Sequence, residues 1–426
     1  MGVALAIGRC NSRAMKLFLA ALLLAGSAAV AAPVSHARTH ARHAPKPAAE
    51  PSTEKAKTDS KHERDVYFHP SEVHSTGSVT VGGVPIAYDA VAGTLVVHSK
   101  DWSDTDALDA DTDKSDKDKN TPKPEASMYY VAYFKQGAPA AGRPITFLFN
   151  GGPGSSSIWL HVGAFGPVRV TTADAPGHTH PAPYSTVNND ESLLDASDLV
   201  FIDAPGTGFS RIAGKDKEKA FYGVDQDIDA FTKFITQFLT KYDRWNSPKY
   251  LFGESYGTMR AAGLSLALQN ADIDLNGVML LSDILNWDFM PDDPQLNPGI
   301  DMPYIVALPT YAATAWYFHK VPGAPTDLQA WLAQVQNFAT GDYARALMAG
   351  DALAPAERQR VAQQLAAYTG LSVPYVLKSN LRIEYGAFQK ELFGTEELTT
   401  GTLDTRFVGA TLDPLSKVSS YDPQSA

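Results

Sequence analysis

The stretch Lys249–Gly257, KYLFGESYG, constrains the fold of this chain more than any other. Tyr250, Leu251 and Phe252 have strand character and run through Gly253 straight into Gly-Glu-Ser-Tyr-Gly. A strand that breaks sharply into a helix needs small residues on both sides of the turn. A Cβ at Gly253 or Gly257 would meet the neighbouring strand or helix. Such a turn forces Ser255 into a strained backbone conformation, with its hydroxyl above the C-terminal edge of a sheet. The following TMRAAGLSLALQN has apolar residues at helical spacing, with Gly263 its one breaker. Strand, Gly-x-Ser-x-Gly and helix in succession predict a nucleophile at Ser255; the alternative is a plain strand-to-helix turn.

Other segments supply the sheet that such a turn needs. PITFLF (144–149) is a continuous apolar run suited to a buried central strand, and it enters the glycine-rich Asn150–Ser157. Backbone N–H groups in such a turn can come close to a ligand, which makes it a source of an oxyanion donor. A phosphate loop is the rival reading, but no Gly-Lys-Ser/Thr follows and Pro153 removes a donor. Leu199–Asp203 is a second buried strand, followed by the glycine-rich Ala204–Ser210. Asp225–Tyr242 is an amphipathic helix and Gly277–Leu281 the next strand. This alternation predicts an α/β fold, a mostly parallel sheet with helices on both faces.

Upstream, SVTVGGVPIAYDAV alternates about Gly82-Gly83 as a hairpin, GTLVVHSK (93–100) adds a strand, and MYYVAYFK (128–135) resumes the sheet. Between them, residues 101–127 carry eight Asp and one Glu against four Lys and are expected to be a disordered acidic loop. Their Asp spacing lacks the Gly and terminal Glu of a calcium loop. After Trp287 the pattern becomes helical: Tyr304–His319, Asp327–Ala339, Gly341–Met348 and Ala354–Thr369. A long helical segment inserted after a sheet strand is a cap that shapes a pocket.

The first 31 residues have the form of a secretory signal: Arg9, Arg13 and Lys16, then apolar Leu17–Ala25, then small residues to Ala31. The apolar run is short for a membrane span, so export to the periplasm or medium without a stable membrane anchor is expected. The one cysteine, Cys10, lies inside that segment. Residues 32–66 have the composition of a disordered linker, and His36, His40 and His43 are expected to be solvated rather than metal-binding. A net charge of -11 argues against nucleic acid as a partner.

NGGPGSSS (150–157), DAPGTGFS (203–210) and GESYG (253–257), in that order and spacing, resemble the serine carboxypeptidases, a branch of the α/β-hydrolase fold. The resemblance covers roughly residues 78–426. It implies an α/β-hydrolase core at 67–288, a helical cap at 289–426, peptide substrates with a free C-terminus, and no cofactor or metal. It also implies roles. Ser255 would be the nucleophile, the N–H groups of Gly152 and Tyr256 the oxyanion hole, and Asn150, the Gly151 N–H and Glu254 the holder of the substrate's terminal carboxylate. Glu254 would then have to be protonated to donate to another carboxylate, and a pair of this kind favours acidic conditions.

Two departures stand out. The family often has a second glutamate just before the Gly-Pro that follows the first motif, where this chain has Ala164. That puts an acidic optimum in doubt. The family's catalytic Asp and His sit beyond the cap, and no such pair is identifiable here. The C-terminal strands are therefore expected to be missing and the chain as given weakly active. After Ser255 the only histidine is His319, expected on a helix surface, and Asp283 is expected to end a strand rather than orient a base. His161, His178 and His180 precede the nucleophile and are expected in loops. A non-catalytic binder of peptide C-termini, or of a partner protein, and an esterase or lipase on the same fold are the alternatives.

Overall fold

A computed structural model of the chain describes residues 67–100, 123–290 apart from 176, 180 and 285, then 298–411, and residues 413, 416 and 422. The signal segment, the linker with its three histidines, most of the acidic insert and His180 lie outside the described residues. In chain order the first strands are β1 (Glu72–Val81), β2 (Val84–His98), β3 (Glu125–Lys135), β4 (Ile145–Phe149), β5 (Val168–Val170), β6 (Thr186–Asn188), β7 (Asp198–Ile202) and β8 (Arg211–Ala213). Helices α1 (Lys217–Phe221) and α2 (Val224–Lys241) lead to β9 (Lys249–Glu254), α3 (Tyr256–Asn270) and β10 (Gly277–Leu281).

The main sheet runs β1-β2-β3-β7-β4-β9-β10, with β8 also pairing β3. Its first part is antiparallel, and β7, β4, β9 and β10 are parallel. From β4 the chain moves to β7 on one side, and from β9 to β10 on the other. The loops leaving β4 and β9 therefore part in opposite directions, which opens a crevice at the carboxyl ends of those two neighbours.

Alternation along β4 explains its unbroken apolar sequence. Phe147 and Phe149 pack with Phe231, Phe234 and Phe238 of α2 and Leu264 and Leu268 of α3. Leu148 faces the other way, with Phe201, Phe252, Leu160 and Leu194. Long helices thus cover the first face, and the short turns about 158–165 and 193–195 cover the second.

Two boundaries differ from expectation. β2 continues through Ala92-Gly93 as one 15-residue strand rather than two. A Cβ on Gly93 would sit 2.7 Å from the Ser71 carbonyl, so this glycine admits a crossing chain and ends nothing. The acidic insert ends before residue 127, because Glu125 already belongs to β3. It is buried there and accepts a 2.7 Å hydrogen bond from the Phe68 N–H.

β1 is fastened by a knot at its first residue. Glu72 accepts from Tyr130 Oη at 2.6 Å, from Tyr242 Oη, and from Lys241 Nζ at 3.1 Å. Burial alone would raise the Glu72 carboxyl, but these donors overcome it and hold the pKa at about 2.

The region after 301 has a core of its own. Helices α4 (Met302–Tyr317), α5 (Leu328–Phe338), α6 (Ala344–Ala349), α7 (Pro355–Thr369), α8 (Val373–Lys378) and α9 (Tyr385–Glu391) enclose Tyr311, Trp331, Val335, Tyr343, Leu365 and Phe388. Tyr311 stacks on Phe388 with ring centroids 4.2 Å apart. The hairpin of β11 (Leu398–Thr400) and β12 (Val408–Ala410) follows, so this region is helical but not wholly so.

Candidate active site

β9 hands over to α3 through a single residue, Ser255, at φ 57° and ψ −127°. Side chains rarely occupy that region, and the strain persists because the surroundings leave no alternative. A Cβ on Gly253 would come within 2.1 Å of the Gly257 carbonyl, and one on Gly257 within 2.8 Å of the Phe149 carbonyl. The Ser255 N–H continues the ladder to β10 by donating to the Leu281 carbonyl at 2.9 Å. Thr258 Oγ1 donates to the Ser255 carbonyl at 2.7 Å and accepts from the Ile284 N–H, which ties the chain leaving β10 to the turn. This is the elbow that the sequence predicts.

The glycine-rich loop after β4 is pressed against the start of α3. A Cβ on Gly151 would lie 2.3 Å from Tyr256 N and 2.7 Å from Gly257 N. Tyr256 is the first residue of α3, where the helix offers its N–H no acceptor. Gly152 sits beside it at φ 106°, a conformation that favours glycine.

Asn150 is buried and uses all its polar groups. Its Nδ2 donates to Glu254 Oε2 at 2.8 Å, and its Oδ1 accepts from the Leu160 N–H at 3.1 Å. Its own N–H donates to Ser157 Oγ, and its carbonyl accepts from Arg260 Nη1 at 2.8 Å. The Gly151 N–H also faces Glu254 and lowers its pKa. Burial raises the Glu254 pKa, and the Asn150 bond and the Gly151 N–H offset only part of that rise. Asn150, Gly151 and Glu254 therefore form one cluster beside Ser255. No second carboxyl stands at Ala164, whose carbonyl accepts from Asn189 Nδ2 at 2.6 Å.

A second loop holds the first in place. Asp203, at the end of β7, accepts from the Ser157 N–H at 2.8 Å and from the Phe209 N–H at 3.1 Å, while burial raises its pKa. Ser157 Oγ in turn donates to the Ile202 carbonyl. Ile158, Trp159 and Phe209 are exposed on these two loops.

His161 does not sit in an open loop. It lies in a π turn, stacked on Phe201 at 4.7 Å, with Nε2 2.6 Å from Tyr133 Oη. Burial pushes its pKa down to about 4, so the ring is neutral at ordinary pH. His178 is exposed, 6.4 Å between ring centroids from Phe407. His319 is exposed just past α4, at φ 55°, and Asp283 is exposed beyond β10. Among the described residues no side chain hydrogen-bonds Ser255 Oγ, so neither His319 nor Asp283 is brought to Ser255 as partner. No helix of the described residues is long and apolar enough to cross a membrane.

The residues missed by pattern reading are Arg260, Asp227 and Asp203. Arg260 stands five places after Ser255 as the lone charge in an otherwise apolar helix, a signal available in the sequence. Asp203 opens the DAPGTGFS motif, but its bond to Ser157 lies 46 residues back, and Asp227 carries no signal because its partner is 33 residues away.

Residues 119–285 match the family model for serine carboxypeptidase. A carboxypeptidase Y homolog of Arthroderma benhamiae is 30% identical over 139 residues, 32% of this chain and 25% of that protein. The pheromone-processing carboxypeptidase KEX1 of Saccharomyces cerevisiae is 36% identical over 102 residues, 24% of this chain and 13% of that one. The chain thus spans a quarter or less of the length of these relatives. The crystal structure of the Saccharomyces prohormone-processing carboxypeptidase Kex1 aligns at 20% identity with a TM-score of 0.37, covering 66% of this chain and 53% of that one.

Proposed function

We propose that this chain, whose residues 119–285 match the family model for serine carboxypeptidase, is a member of that family and acts on peptides with a free C-terminus by acyl transfer through Ser255. The observation that carries the reading is the cluster of Asn150, Gly151 and Glu254 one residue from the nucleophile. A site for a terminal carboxylate that close to a reactive hydroxyl selects the last peptide bond for attack.

In this reading Ser255 Oγ attacks the last peptide carbonyl and its proton passes to a base. The oxyanion that forms is held by the N–H groups of Gly152 and Tyr256. The C–N bond breaks, the terminal amino acid leaves with a proton, and water then hydrolyses the ester on Ser255. Asn150 Nδ2 and the Gly151 N–H donate to the substrate carboxylate. Protonated Glu254 adds a third hydrogen bond. Export by residues 1–31, with action in the periplasm or medium, is part of the same proposal.

The test compares an N-blocked dipeptide acid with its C-terminal amide and with a simple ester. Preference for the acid, in binding and in turnover, is expected. Indifference to amidation together with brisk ester hydrolysis would overturn the peptidase reading in favour of an esterase. Binding of the acid with no labelling of Ser255 by a fluorophosphonate would leave a binding protein.

A further inference from the structure

Arg260 is among the most deeply buried large side chains in the molecule, and each of its three guanidinium nitrogens donates a hydrogen bond. Nε donates to Asp227 Oδ2 at 2.7 Å and Nη2 to Asp227 Oδ1 at 3.2 Å, a two-point pairing. Nη1 donates to the Asn150 carbonyl at 2.8 Å. Rings close around the charge, with Phe231 4.3 Å and Phe149 and Tyr256 5.4 Å from the guanidinium carbon.

The carbonyl that Arg260 holds belongs to the peptide whose N–H is that of Gly151. That peptide is trans, so its C=O and N–H point in opposite directions. Arg260 fixes the carbonyl toward the core, and the N–H on the far side then points at Glu254. A hydrogen bond from a cation to the carbonyl also polarises the peptide and makes the opposite N–H a stronger donor. Without Arg260 the buried carbonyl would lose its partner. Turning the peptide plane to relieve that would aim a carbonyl oxygen where a carboxylate must bind.

We propose that Arg260, locked by Asp227, is the positioning residue of the carboxylate site: it sets the Asn150–Gly151 peptide plane so that the Gly151 N–H faces the terminal carboxylate of a substrate. The inference rests on the carboxypeptidase reading and adds the element that orients its specificity. The same side chain fastens the loop after β4 to the helix that begins at the nucleophile. The distance between clamp and nucleophile, which decides that a single residue is released, is thus fixed inside the core.

The experiment measures binding of an N-blocked dipeptide acid and its amide to the full chain carrying Ser255→Ala, which prevents turnover. Two further changes are compared in that background. Arg260→Met with Asp227→Leu replaces the buried pair by apolar groups, an exchange that cores often accept. Arg260→Lys keeps the charge beside Asp227, but its single ammonium on a shorter stem cannot also reach the Asn150 carbonyl at the same geometry.

The acid-over-amide ratio is expected to fall about tenfold or more in the double replacement and less in Arg260→Lys, with amide binding unchanged. Destabilisation alone would weaken both ligands together and leave the ratio alone. A folded variant of either kind that keeps the parent ratio overturns the role of Arg260. If the double replacement does not fold, Arg260→Lys decides the matter alone. A parent chain that does not distinguish acid from amide overturns the carboxypeptidase reading instead, and this inference with it.

Discussion

The two sides of the elbow are built differently. On the β4 side, Asn150 makes four hydrogen bonds, Ser157 and Asp203 interlock two loops, and Arg260 ties the whole to α3. On the β10 side, the strand pairs with β9 alone among the described residues, and Val278 and Leu280 remain 39% and 43% exposed. Asp283, Trp287 and Phe289 continue that open character beyond the strand. The β4 side is therefore preorganised by its own residues. The Ser255 hydroxyl sits at the border, held by its backbone and hydrogen-bonded by no side chain among the described residues.

The contrast can be broken most sharply at the hydroxyl itself. Ser255→Ala is expected to abolish labelling by a fluorophosphonate and the turnover that passes through Ser255, while leaving affinity for a blocked dipeptide acid within about threefold. Steady-state kinetics and calorimetry read the two separately, and a parallel loss of affinity would show the two halves to be one. Next in size, Gly151→Ala would drive a Cβ to 2.3 Å from Tyr256 N, against backbone that cannot turn aside. Denaturant unfolding should show a loss of about 2–3 kcal/mol. Wild-type stability would mean that the loop is not jammed against α3.

Glu254 sharpens the comparison through pH. Its pKa is raised, so the proton that can be donated to a substrate carboxylate persists to higher pH than in an ordinary carboxyl group. Once ionised, it repels the substrate. KM for acid substrates should rise as pH passes upward through that pKa, and Glu254→Gln should make KM flat. An unchanged pH profile in the variant would assign the dependence elsewhere.

His161 gives a smaller effect of opposite sense. Its native pKa of about 4 lies below the unfolded value of 6.5, so the unfolded chain takes up more protons as pH falls from 6.5 to 4. Stability should drop across that window, by about 1 kcal/mol at pH 5.5, and His161→Phe should flatten the drop in chemical unfolding curves. Smallest of all, Val278→Thr with Leu280→Thr on the open side should shift stability by about 0.5 kcal/mol or less. A cost several times larger would reveal packing where the strand is described as open.

The sequence made one side of this contrast readable. Gly253, Ser255 and Gly257 encode the elbow locally, because each glycine is required by an atom a few residues away or in the adjacent strand. The three motifs likewise located Asn150, Gly151 and Glu254, which the fold brings together at the switch between β4 and β9. Positions whose meaning depends on distant partners were not legible. Asp227 pairs with a residue 33 places later, and Glu125 reads as part of an acidic insert because composition carries no record of the Phe68 N–H that it accepts from. Gly93 has the look of a break only until the crossing Ser71 is seen. His161 was expected in a loop because no local pattern announces a ring stacked under a strand.

The knot at Glu72 gives the molecule an order in which acid acts on it. Its carboxyl keeps its charge down to about pH 2, so the stability it contributes is present above the unfolded carboxylate range and is lost only as pH falls from there through that value. The His161 turn, which carries Leu160 and with it the bond to Asn150, meets its unfavourable proton well before that. On acidification the turn that holds the Asn150 loop should slacken while the outer strands are still fastened. The molecule would disarm before it unravels, and restoring the pH would re-form a loop rather than a fold.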